Sequence, residues 1–176
     1  MAIQQWTTVA ALAFSKTNET STNVGDIRFT FIVDPASSTT WGWSYFPSQA
    51  DLAGDVWANS DVASDDWSVG SYNFASLLHE IGHALGLKHP FEDGDTLPAS
   101  QDSSQYSVMS YTEHPHSVYR QVTEDADGYH WTYENVQPKT PMLYDIAAIQ
   151  YLYGANMAYH TGDDTYSFDI RPRLFL

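Results

Sequence analysis

The chain has 176 residues, with 22 acidic against 7 basic side chains, a formal net charge of −15, and no cysteine. That length suits one domain with a substantial core, and the acidity excludes nucleic acid and anionic membrane surfaces, which select for Lys and Arg. No disulfide can form, no run approaches the roughly 18 apolar residues of a membrane span, and no basic-then-apolar leader opens the chain. The acid excess reads first as a solubilising surface and second as loops that bind calcium.

Ile3, Trp6, Val9, Ala10, Ala13 and Phe14 recur at helical spacing, which predicts an amphipathic helix over 2–15. It starts at Met1 without a capping residue, as a chain cut inside a helix would. Ile27, Phe29, Phe31 and Val33 alternate with Arg28, Thr30 and Ile32, the pattern of a half-buried strand. Trp41, Trp43 and Tyr45 alternate with Gly42, Ser44 and Phe46, and Pro47 stops the segment. A strand ended by proline belongs at a sheet edge. A short strand is expected at 55–58.

The next element carries the chemistry. A helix is predicted from Ser71 or Asn73, either a good N-cap, to Leu85. His79 and His83 lie four apart and share one face, so both imidazoles can reach the same Zn²⁺. Leu77, Leu78, Ile81, Ala84 and Leu85 form the opposite, apolar face. Gly86 permits the exit turn, which brings His89 back as a third ligand. Three histidines leave one position of a tetrahedral ion open, the arrangement of a catalytic zinc. Glu80 is turned about 100° from His79. Its carboxylate falls beside the ion, where it can take a proton from a water and pass it to a leaving amine. The pattern H-E-x-x-H-x-x-G-x-x-H fixes five positions, and its chance occurrence is below about one in a million per window. That sets aside the bland reading of a helix with two exposed histidines.

Residues 92–105 read as loop. Tyr119–Val136 reads as a hairpin around D-A-D-G, with Gly128 supplying the turn. A last helix is predicted from Pro141 to Tyr153, with Thr140 as N-cap, Gly154 at its end and Met142, Ile146, Ile149 and Tyr153 as its core face. Asp145 faces the helix dipole or supports the site from behind. His114 and His116 flank a proline as exposed loop histidines do, with a second metal the sharper alternative. No serine or cysteine nucleophile stands in a G-x-S-x-G motif, and no internal repeat is visible.

Residues 79–90 (H-E-I-G-H-A-L-G-L-K-H-P), 107–111 (S-V-M-S-Y) and 141–156 (P-M-L-Y-D-I-A-A-I-Q-Y-L-Y-G-A-N) together resemble the serralysin family of secreted bacterial metzincin metalloproteases. The resemblance implies an α+β metzincin fold: a twisted mixed sheet with two long helices above the cleft, and an irregular lower part with one helix. It implies one catalytic domain over 1–176, upper part about 1–89 and lower part about 90–176, without the glycine-rich calcium-repeat module. His79, His83 and His89 become the zinc ligands, Glu80 the general base and acid, and Met109 an apolar floor under the imidazoles. Tyr111 becomes a tyrosine that swings to stabilise the oxyanion. The strip Thr161–Tyr166 resembles the entrance to the missing module, half of a calcium site. The implied partners are proteins or peptides in extended conformation, the implied state a secreted monomer. The competing reading is a truncated or catalytically silent zinc-binding or protein-interaction module of the same fold. The presence of Glu80 weighs against it.

Overall fold

In the computed structural model, which describes residues 1–21, 24–33, 40–92 and 94–165, the fold is laid out around the helix that carries His79 and His83. In chain order come α1 (Ala2–Val9), β1 (Phe29–Ile32), β2 (Gly42–Ser44), β3 (Val56–Asn59), α2 (Tyr72–Ala84), β4 (Val118–Asp125), β5 (Gly128–Asn135) and α3 (Leu143–Tyr153). The class is α+β. β3 is the middle strand of a mixed three-stranded sheet, parallel to β1 and antiparallel to β2. β4 and β5 make a separate antiparallel hairpin.

α2 starts where sequence places it. The Ser71 hydroxyl accepts the Phe74 N–H at 3.1 Å, an N-cap that satisfies one of the orphan amides of the first turn. Phe74, Leu78, Ile81 and Leu85 line its buried face and pack with Trp6 of α1, Ile149 of α3, Val108 and Met109. Leu78 and Ile81 are fully buried, and each such side chain contributes about 1.5–3 kcal/mol. Gly82 sits inside this helix at a cost in propensity. A β-carbon there would lie 2.6 Å from Met109 Sδ and 3.3 Å from the Trp6 ring. Trp6 and the turn of residues 107–111 that carries Met109 (the methionine turn) therefore approach the helix where only glycine leaves room. Gly86 takes φ 101°, and the Leu87 N–H bonds Gly82 O at 2.9 Å, so the chain reverses as the exit turn requires.

Four expectations need correction. The first helix ends at Val9 rather than residue 15, because Ala10 turns extended and bridges to Ala155. One helix of thirteen residues and one of eight therefore stand where two long helices are expected. β1 is not half-buried: Phe29, Phe31 and Val33 are at least half exposed, because α2 packs on β2 and β3. α3 starts at Leu143 with Met142 as N-cap. The Asp145 carboxylate accepts the Met142 N–H at 2.7 Å, so the first turn is capped from inside and Thr140 is not its cap.

The hairpin forms over the predicted stretch, with Gly128 at φ 118°. Tyr129, Trp131 and Tyr133 are exposed on one of its faces, and the Arg120 guanidinium lies 6.0 and 5.4 Å from the Trp131 and Tyr133 ring centres. Tyr166 lies outside the described residues; the rest of the strip Thr161–Thr165 is irregular. Within it, Asp164 pairs with His160 at 3.1 Å. No helix among the described residues is long and apolar enough to cross a membrane.

Candidate metal centre and active-site cleft

Two rigid attachments fix the first two histidines. His79 places Nδ1 2.8 Å from Val108 O, and His83 places Nδ1 2.7 Å from Leu87 O. A carbonyl only accepts, so each Nδ1 carries the proton and each Nε2 keeps its lone pair. His89, beyond the exit turn, places Nδ1 2.5 Å from Glu92 Oε1. Its Nε2 then lies 3.2 Å from His79 Nε2 and 3.0 Å from His83 Nε2. A tetrahedral ion with Zn–N bonds of roughly 2.0–2.1 Å needs its nitrogens about 3.3 Å apart.

Burial pushes the His79 imidazole down to about 4, and pushes His83 down as well. Both rings are neutral near pH 7. These two neutral rings aim their Nε2 lone pairs at the point that His89 Nε2 also reaches, an arrangement that a cation stabilises. The donor set fits zinc. Among the described residues this is the one group of three or more histidine or acidic side chains placed to hold a metal. His114 and His116 do not form a second: their rings are 5.6 Å apart, and His114 Nδ1 accepts the His116 N–H.

Glu80 is buried beside the triad, and Ser44 of β2 donates its hydroxyl to Oε2 at 2.7 Å. Burial raises the carboxyl above the usual range, while the Ser44 bond works the other way. A carboxylate so placed is a stronger base than an exposed one. Tyr111 is 70% exposed. Its ring stacks on His79 at 5.6 Å between centres and tilts against His89 at 4.6 Å. Partial desolvation against the neighbouring rings first, then the charges of Glu80 and Glu92, raise its hydroxyl. Met109 is buried under α2.

Glu80 and Tyr111 share a cleft of about 220 Å³ with Gly42, Trp43, Ser44, Phe46, His83, His89 and Glu92. One wall is the β2 edge. A larger hollow of about 700 Å³ lies elsewhere, between the start of α2 and the foot of the hairpin, with Asp66 and Glu134 in its walls.

The sequence reading misses Ser44 and Glu92; Asp145 caps the helix start and supports the site from behind, as expected, through partners that the sequence does not name. The Ser107 hydroxyl and the Val108 N–H donate to Asp145 at 2.6 and 2.8 Å, in addition to the Met142 N–H. Asp145 so clamps the methionine turn to α3, and Val108 of that turn holds His79. Period-two alternation puts Ser44 on the strand face that Trp43 and Tyr45 do not share, a signal available once α2 is known to cover that face. Glu92 sits in an aperiodic loop and offers no such signal.

No protein-family model matches the chain. Among curated relatives, serralysin of Proteus mirabilis is 35% identical over 158 residues, covering 82% of this chain and 30% of that protein. Serralysin B of Dickeya chrysanthemi is 33% identical over 183 residues, covering 96% of this chain and 35% of the relative. The chain belongs to the serralysin family. Metalloprotease AprA of Pseudomonas entomophila matches to the same extent, 33% over 182 residues. The chain spans about a third of the length of these serralysin relatives. For the histidine triad, the serralysin family implies zinc.

Proposed function

We propose that this chain is the catalytic domain of a secreted, monomeric zinc endopeptidase, built on the metzincin plan of a mixed sheet and helices bordering a cleft. The convergence of His79, His83 and His89 on one point, beside a buried glutamate, carries the reading. Zinc, when bound, polarises a scissile carbonyl and acidifies a water. His79, His83 and His89 hold it, and His79 and His83 are kept neutral for that purpose by burial. Glu80 takes the proton of the attacking water and returns it to the leaving nitrogen. Ser44 fixes one oxygen of that carboxylate and leaves the other for the proton. Tyr111, exposed and seated against two of the imidazoles, reaches in to donate to the developing oxyanion.

The substrate is an extended peptide lying along β2. The β2 edge faces the same cleft as Glu80, His83 and His89, and main-chain pairing accepts many sequences, so unfolded proteins are the preferred substrate class. The deciding experiment is casein digestion by this chain, untreated, after chelation, and after zinc is added back. Activity that vanishes with the chelator and returns with zinc supports the proposal. A chain that binds zinc and leaves casein intact is the silent module instead.

A further inference from the structure

We propose that Glu92 is the positioning residue that makes His89 a zinc ligand, an inference that rests on the metal-centre reading above. The three imidazoles are not held alike. His79 and His83 stand on α2 and donate to backbone carbonyls, groups that carry no net charge and cannot rotate away. His89 stands past the exit turn, and its Nδ1 partner is the side chain of Glu92. The Glu92 N–H bonds back to His89 O at 3.3 Å, closing a short loop that returns the carboxylate under the ring.

Two aromatic contacts fix the plane of that ring. Phe91 lies flat against it, centres 5.0 Å apart and 5° between planes, and Tyr111 leans on it at 4.6 Å. Stacking fixes the plane but not which edge points inward. Turning the ring over keeps it in the same slot and exchanges Nε2 for a carbon at the cluster. The bond to Glu92 is what separates the two orientations. It holds the proton on Nδ1 and aims Nε2 at His79 and His83. Glu92 is also 46% exposed along its side chain, so the third ligand depends on a surface side chain where the others depend on backbone.

The test compares wild type, Glu92→Ala and Glu92→Gln in the full chain. Zinc affinity is measured by competition with a chromophoric chelator, and the visible spectrum is recorded with Co²⁺ in place of zinc. Losing such a partner costs about 10–100-fold in metal affinity, and that loss is expected for Glu92→Ala together with a changed cobalt spectrum. Glu92→Gln keeps an acceptor oxygen and is expected to recover part of the affinity and most of the spectrum. Unfolding midpoints of the metal-free proteins should agree, because Glu92 lies outside the core. Glu92→Ala that binds zinc within about threefold of wild type, with the same cobalt spectrum, overturns the assignment. Glu92→Gln no better than Glu92→Ala overturns it too. Wild type that fails to bind zinc overturns the metal-centre reading itself, a result distinguishable from either.

Discussion

Ser44 donates its hydroxyl hydrogen to Glu80 Oε2 across 2.7 Å, joining the edge strand that borders the cleft to the helix that carries His79 and His83. The bond has a consequence that a double-mutant cycle can read. Glu80→Gln should keep fold and zinc and lower kcat by about 10²–10⁴, the usual worth of a positioned acid–base group. Ser44→Ala should lower kcat about 3–10-fold in the wild-type background, in line with one hydrogen bond of roughly 1 kcal/mol. In the Glu80→Gln background the same change should cost little. Equal losses in both backgrounds would move Ser44 from orienting the base to shaping the strand.

Asp145 holds three donors at once, from Ser107, Val108 and Met142. Asp145→Asn keeps the volume but turns an amide NH₂ toward at least one N–H or O–H donor. A buried donor left unsatisfied costs about 1–3 kcal/mol, so unfolding by urea should show a loss of that size. Because Val108 O orients His79, zinc affinity should fall as well. A variant of wild-type stability and affinity would show that the methionine turn stands without the clamp.

Much of this was legible in the residues, for physical reasons that also mark the limit. The α2 helix follows from its Ser71 cap, its apolar face and Gly86, all local signals, and the hairpin from its turn. The first helix is misjudged at its end because Ala13 and Phe14 continue the period, while the chain is drawn off at Ala10 by pairing with Ala155. That contact is between residues 145 positions apart and no periodicity records it. The exposure of β1 depends likewise on how far α2 reaches across the sheet. Ser44 and Glu92 act through contacts between elements or within an aperiodic loop, where spacing is silent.

The neutral histidines predict how the metal-free chain responds to acid. The folded-state pKa of His79 is about 4 against an ordinary 6.5, and His83 is displaced in the same direction. Between those values the unfolded chain binds protons that the folded chain does not, so stability falls as pH falls from about 6.5 toward 4. The contribution of His79 is on the order of 2–3 kcal/mol. Urea titrations of the chelated protein at pH 7.5 and 4.5 should show the difference, and equal midpoints would mean that the imidazoles are already solvated.

The last prediction concerns the strand on which substrate is proposed to lie. Along β2 the odd residues face β3: Tyr45 N–H bonds Asp55 O at 3.0 Å, and Trp41 O accepts from the Asn59 N–H at 2.8 Å. By antiparallel alternation, the backbone groups of Gly42 and Ser44 point to the other side, the side of the cleft they line. A peptide laid antiparallel there finds donors and acceptors at every second residue. Its own amides must alternate in the same way, one facing β2 and the next facing away. N-methylation scanned along a good peptide substrate should therefore raise KM about 5–10-fold at alternate positions, roughly one hydrogen bond each, and leave the positions between them nearly unaffected. A flat profile, or sensitivity confined to the bond that is cut, would rule out strand addition and leave the side-chain pockets as the whole of recognition.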